Sequence, residues 1–191
     1  MLAGGRLPGM LRHPDPPLSD GVITLRARTP ADVDALVAAC QDPEIPRWTR
    51  VPVPYLPEHA REWIAASEEE LAEGHTINWL AVDGGGNLLA SLGLMEIDLQ
   101  RGYGEIGYWV AREARGRGVA TRAVALVREW AQQELGLATL EIVVHENNLA
   151  SRAVARAAGF EETTERRRPP PRGGLPDGRY VVHALRAPSF E

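Results

Sequence analysis

The segment from Glu105 to Ala120, EIGYWVAREARGRGVA, most restricts how this chain can fold. Ile106, Gly107, Tyr108, Trp109 and Val110 read as a strand, and Arg115-Gly116-Arg117-Gly118 reads as a turn. An amphipathic helix follows at once. Glycines in a turn that opens a helix let backbone N–H groups approach a ligand closely. The helix start adds unpaired donors and a partial positive charge. Such a turn suits an anion, most often a phosphate group. Strand 105–110, helix 119–135 and the β-branched run 140–144 form one β-α-β unit, which predicts a parallel, right-handed crossover.

The surrounding pattern predicts a mixed sheet. Residues 22–27 alternate as a half-buried strand. Thr29-Pro30-Ala31-Asp32 starts a helix that runs to about Cys40. Residues 41–57 read as a proline-rich loop carrying Trp48 and Tyr55. A helix from Pro57 to about Glu73 ends at Gly74. Strands 76–82 and 88–99 are joined by Asp83-Gly84-Gly85-Gly86-Asn87, a hairpin signal. A short helix spans about 149–158, a strand follows Phe160, 166–178 is an Arg/Pro/Gly linker, and 179–185 is the last strand. The hairpins are antiparallel, so the fold class is α/β (α+β). The sheet is mixed and mostly antiparallel, with about seven strands and four flanking helices. The domain plan is a flexible arm over 1–20, one domain over 21–186 and a tail over 187–191.

Composition narrows the function classes. The length of 191 residues suits one domain with its own core. All 21 basic residues are Arg, which reads as a codon-composition signature. The net charge of −5 argues against nucleic acid as a partner and is compatible with an amine substrate. The single Cys40 excludes an intramolecular disulfide and a cysteine-based metal site, so no metal is expected. Nothing approaches the ~18 apolar residues of a membrane span, and no apolar run follows Arg6 and Arg12 as in a signal peptide. The expected compartment is the cytoplasm, and the expected state is a monomer or homodimer.

The motifs together resemble a family. Arg115-Gly116-Arg117-Gly118-Val119-Ala120 is similar to the (Gln/Arg)-x-x-Gly-x-(Gly/Ala) element of the Gcn5-related N-acetyltransferases (GNAT), with Arg115, Gly118 and Ala120 at the defined positions. Asn148-Leu149-Ala150-Ser151 through Ala157-Ala158-Gly159-Phe160 resembles that family's Asn-x-x-Ser…Gly-Phe segment. Leu25-Arg26…Thr29-Pro30-Ala31-Asp32, the Trp48 loop and Glu105-Ile106-Gly107-Tyr108 resemble the RimJ/RimL-type branch, which acetylates ribosomal-protein N-termini. The resemblance covers about residues 21–186. It implies transfer of an acyl group, usually acetyl, from coenzyme A to an amine. It also implies that strands 105–110 and 140–144 splay around the pantetheine arm, and that the backbone of 115–120 holds the pyrophosphate.

The residues support roles as follows. The cofactor side comprises Trp109 and Val110 on the strand, Arg115, Gly116, Arg117, Gly118, Val119 and Ala120 in the turn, and Asn148 and Ser151 downstream. Arg117 either adds charge at the phosphates or is solvated. A dinucleotide site fits poorly, because Thr121 stands where a third glycine would fall. Asn148 is also a good N-cap for Ser151 N–H. The resemblance adds that the Ser, or a nearby Tyr, can protonate the leaving thiolate. The base must serve a neutral amine. Deprotonating an α-amine at pH 7 costs about 1.4 kcal/mol, against about 4.6 for Lys. Glu105 is the first candidate and Glu96 the second, and either also reads as an exposed strand-end charge. His145 reads as a surface turn histidine. Trp48 walls the acceptor pocket or lids the core. The expected activity is acetyl-CoA-dependent acetylation of a primary amine, on a peptide N-terminus or a small molecule. The alternative is a non-catalytic acyl-CoA-binding module.

Overall fold

Strand pairing begins earlier and the helices are more numerous than the pattern predicts. The computed structural model describes residues 11–167 and 175–186. Eight strands form one sheet: β1 (Leu18–Ser19), β2 (Thr24–Arg26), β3 (Ile77–Val82), β4 (Leu88–Asp98), β5 (Tyr103–Val110), β6 (Thr139–His145), β7 (Glu161–Arg167) and β8 (Tyr180–Arg186). Their order is β1-β2-β3-β4-β5-β6-β8-β7. The helices are α1 (Val33–Cys40), α2 (Glu44–Trp48), α3 (Pro57–Glu73), α4 (Val119–Glu134) and α5 (Leu149–Ala157).

Burial explains the layering. Every position of β3 is buried, as a central strand requires. Its Ile77, Trp79 and Ala81 face one layer, with Val119, Ala123, Val124, Val127 and Ala131 of α4. Leu80 and Val82 face the other, with Val33, Leu36 and Cys40 of α1 and Ala60 and Ile64 of α3. The step of three and four along α4 is the predicted apolar stripe. Each such Val, Leu or Ile stabilises the fold by roughly 1.5–3 kcal/mol.

The parallel contact is β5 with β6, crossed over by α4. It is short. Tyr103 pairs Thr139, Gly104 pairs Leu140 and Glu105 pairs Glu141, and the ladder then stops. β5 nevertheless continues to Val110 and β6 to His145. The expected splay is therefore present, and it opens just past Glu105.

Three expectations need correction. The arm expected over 1–20 is packed along its described part. Leu11 is 8% exposed in the main core, and Leu18–Ser19 pairs with Leu25 and Thr24. The reason is composition: Leu11 is apolar enough to be buried, and Leu18 to be half-buried, despite the flanking prolines. The loop expected over 41–57 contains α2, because Pro43 is its N-cap and Pro46 lies in its first turn, where a missing N–H costs nothing. The linker expected from Arg166 starts later, since Arg166 and Arg167 still pair with β8. Residues 168–174 of that linker, residues 1–10 of the arm and the tail 187–191 lie outside the described residues.

Candidate active site

The turn after β5 is shaped by two left-handed glycines, Gly116 at φ 71° and Gly118 at φ 73°. A Cβ at either position would meet no atom within 4 Å, so the turn presents an open face of bare backbone. Gly118 is the N-cap of α4, and the first helical bond runs from Arg122 N–H to Gly118 O at 3.1 Å. The amides of Val119, Ala120 and Thr121 are thus the unpaired donors of the first turn, at the positive end of the helix dipole. Gly116, Gly118, Val119, Ala120 and Thr121 all line one cleft of about 1580 Å³. Arg115 also borders it, but its guanidinium donates back to Val110 O (3.2 and 3.1 Å) and pairs with Asp42 at 2.5 Å. Arg115 therefore braces the turn, and Val110 spends its carbonyl on that brace. Arg117 is exposed. The bare-backbone turn fits a pyrophosphate, and the splay fits a slender arm between two strands.

The cleft continues into the opened gap between β5 and β6. Backbone N–H and C=O groups that a paired strand would satisfy are turned into it. Trp109 contributes backbone there, while its indole is buried against Val33, Leu36 and Tyr55. Asn148 caps α5 as predicted, its Oδ1 accepting from Ser151 N–H at 3.1 Å. Tyr108 bridges the gap: its phenol oxygen lies 2.8 Å from Ser151 Oγ, with Ser151 O at 3.3 Å. Burial pushes the Tyr108 phenol up to about 12, against a smaller opposing effect of the Ser151 bond. It is therefore a neutral O–H donor at neutral pH. The sequence named Ser151 but assigned Tyr108 no role of its own. Its place beside the splayed strand end was the available signal.

Glu105 is the last residue of β5 with a β6 partner, so it stands at the fork. Its carboxylate is raised to about 7, mainly by burial, and then by the negative charge of Glu96. Arg167 opposes this weakly, because its Nη1 is 3.7 Å away. The neighbouring Glu141 takes the stronger bonds, from Arg167 Nη2 at 2.7 Å and the Tyr103 hydroxyl at 2.9 Å. Glu105 is thus the under-neutralised member of the pair. Glu96 is exposed on the bulge of β4, at φ 50°, and lines the same cleft. Positive φ in a non-glycine residue is a local cost held by surrounding structure.

The outer wall is aromatic. Trp48 of α2 lies 5.4 Å from the His145 ring, which lies 5.2 Å edge-on from Tyr180. His145 is not a surface residue as expected: it is 7% exposed. Its Nδ1 accepts from Asn147 N–H, which leaves Nε2 to donate to Asp177 O at 3.1 Å. Both ring nitrogens are occupied, so it serves as part of the wall. Among the described residues no cluster of His, Cys, Asp and Glu could hold a metal ion, and no helix is long and apolar enough to cross a membrane.

Known proteins share this fold. A 96-residue stretch is 34% identical to a candidate ribosomal N-acetyltransferase of Bacillus subtilis, YdaF, covering 50% of this chain and 48% of that relative. The aligned part thus spans about half of that protein. A candidate ribosomal-protein-serine acetyltransferase from Vibrio cholerae superposes with a TM-score of 0.81 at 19% identity, over 92% of this chain and all of that one. Mycobacterium smegmatis RimJ, in complex with CoA-disulfide, gives 0.76 at 22% identity, over 87% and 83% of the two chains. The sequence pattern of the acetyltransferase (GNAT) domain matches residues 23–161, most of the chain. The protein belongs to the GNAT acetyltransferase family.

Proposed function

We propose that the protein transfers an acetyl group from acetyl-CoA to a primary amine, by direct attack and with no covalent enzyme intermediate. One observation carries this reading. A single cleft joins the 116–121 turn, the opened β5–β6 gap and Glu105. The turn would hold the pyrophosphate on Val119, Ala120 and Thr121 N–H. Asn148, Tyr108 and Ser151 would border the thiol end. Acetyl-CoA supplies an activated thioester carbonyl. Backbone donors in the gap orient and polarise that carbonyl. Glu105 takes the proton released as the amine nitrogen bonds to carbon and the C–S bond breaks. The Tyr108–Ser151 pair gives a proton to the departing sulfur. A carboxylate near 7 matches the base role, because half of it is ionised at neutral pH. Glu96 serves to raise Glu105 and to attract the ammonium form of the acceptor.

The relatives named for ribosomal-protein acetylation favour a peptide α-amine over a Lys side chain. The lower deprotonation cost of an α-amine points the same way. The reading keeps the cytoplasm as compartment and a monomer or homodimer as state. A thiol-release screen against short peptides and small amines tests it, with Gly118→Trp as the blocked control. Release with at least one amine is expected, and its loss in a folded Gly118→Trp protein. Acetyl-CoA binding without release by any amine would favour the sensor module instead. Unchanged acetyl-CoA affinity in Gly118→Trp would sink the placement of the pyrophosphate.

A further inference from the structure

The far end of the cleft holds a cation that the acyl-transfer reading leaves unused. Arg28 is 8% exposed and lines the cleft. It follows β2 two residues after Arg26, which pairs with Leu80, so it falls level with Asn78. Its Nη1 donates to Ser67 Oγ at 2.5 Å and its Nη2 to Ser91 Oγ at 3.3 Å. The guanidinium lies 3.4 Å over the Trp63 ring. Its Nε has no hydrogen-bond partner, and no carboxylate of the described residues reaches ion-pair distance. Glu70, the carboxylate whose charge acts on it, is engaged by Asn78 Nδ2 at 3.1 Å. Burial lowers the Arg28 guanidinium to about 9, with Glu70 opposing. A buried cation whose hydrogen-bond partners are all neutral is costly, and a bound anion would relieve it.

Two glycines lie on the floor between Arg28 and the base. Asn78, Gly93 and Gly107 stand side by side on β3, β4 and β5. A Cβ at Gly93 would come within 2.8 Å of Asn78 Oδ1, and one at Gly107 within 2.7 Å of Met95 Cε. The two glycines therefore make room for the Asn78 amide and the flexible Met95, which form the floor of the trough. Strand spacing and rise put Ser91 Cα about 14 Å from Glu105 Cα on the same face of the sheet, and a hydrogen bond of about 3 Å at each end leaves roughly 8 Å between a bound amine and a bound carboxylate.

We propose that Arg28 is the specificity residue of the acceptor site, binding a carboxylate carried roughly 8 Å from the reacting amine. This inference rests on the acyl-transfer reading, since Glu105 marks where the amine sits. The planar fork of Arg matches a carboxylate in two hydrogen bonds. Two acceptors present that chemistry: a dipeptide with a free carboxyl end, and a protein N-terminus with an acidic second or third residue.

Steady-state kinetics with three peptides test it. They are a serine–alanine dipeptide, its C-terminal amide, and an amidated tripeptide with glutamate second. The wild type should prefer the dipeptide acid or the glutamate tripeptide over the dipeptide amide by about 10- to 100-fold in kcat/KM, expressed in KM. In Arg28→Met the preference should collapse to about one, while acetyl-CoA affinity holds. Which acid is preferred identifies the source. Arg28→Lys keeps the charge without the fork and should retain part of the preference; it also serves if Arg28→Met does not fold. Equal KM for acid and amide in the wild type overturns the proposal, as does an equal rise for both in Arg28→Met. If no peptide is acetylated, calorimetry with the two acids still decides. Binding that Arg28→Met abolishes supports the carboxylate site, although the transfer reading has failed. Absent or unaltered binding overturns it.

Discussion

Glu105 is held in a state that costs the fold and serves the proposed reaction. Its proton is bound up to about pH 7 when folded, against about 4.5 for the exposed group. The folded chain thus binds more protons than the unfolded one between these values. Stability contributed by the neutral form is present below about 4.5 and is lost as pH rises through about 7. The loss reaches up to about 3 kcal/mol. Glu105→Gln should therefore raise the melting temperature by roughly 5 °C at pH 8 and leave it unchanged at pH 4. The same variant should lose most acetyl transfer, about 100-fold in kcat or more. A pH-rate profile should rise through about 7 in the wild type, and that limb should vanish in the variant. Tyr108→Phe should lower kcat about 10- to 100-fold while acetyl-CoA affinity changes little, measured by single-turnover thiol release. An equal fall in affinity would make Tyr108 a strut and not a proton donor. That Glu105 lies on the strand ahead of the anion-turn motif was legible, whereas its place at the fork follows from where the β6 ladder ends. Tyr108 gained its role only from the splay that brings it to Ser151, and Arg28 shows no signal in sequence because its burial depends on Trp63, Ser67 and Ser91.

The element that concentrates the donor chemistry is the start of α4, and Arg115 ties it to two others. Its guanidinium joins the end of β5, through Val110 O, to Asp42 ahead of α2. Arg115→Ala should leave the largely buried Asp42 carboxylate without its ion-pair partner, lower stability by about 2 kcal/mol and weaken acetyl-CoA binding more than tenfold. Chemical unfolding and calorimetry check the two effects. Weakened binding with unaltered stability would mean that the side chain contacts the phosphates directly. The turn itself was readable from its glycines, since a left-handed N-cap admits few other residues. The helix α2 was not, because two prolines within a few residues outweigh a periodicity too short to detect. Its consequence is local, for α2 carries Trp48 onto His145 and completes the aromatic outer wall of the cleft.

At the scale of the whole molecule, one sheet carries Glu105, Tyr108 and the opened gap, and the helices that complete the proposed site pack on it, so its edges set how firmly the cleft is held. The local order of strands followed from alternation and turns. The pairing of β8 between β6 and β7 did not, because it joins segments across the linker and depends on tertiary burial. The other edge shows the largest departure from expectation. Leu11 enters the core, His13 meets Trp79 edge-on at 5.8 Å, and β1 covers β2. Asp20 pairs with Arg122 of α4 at 2.7 Å, near the anion turn. This segment thus closes a sheet edge that would otherwise expose unpaired backbone. Burial of Leu11 alone stabilises by roughly 1.5–3 kcal/mol, and the exposed ion pair adds little. A chain beginning at Gly21 should melt roughly 5–10 °C lower than the full chain, with increased self-association at the uncovered β2 edge. Thermal unfolding with light scattering reads both. A flexible arm would leave the melting temperature and the scattering at their full-length values. Because Arg122 lies one turn into α4, the shortened chain should also bind acetyl-CoA more weakly, a loss that added salt should not reproduce in the full chain if packing and not the ion pair holds the helix start.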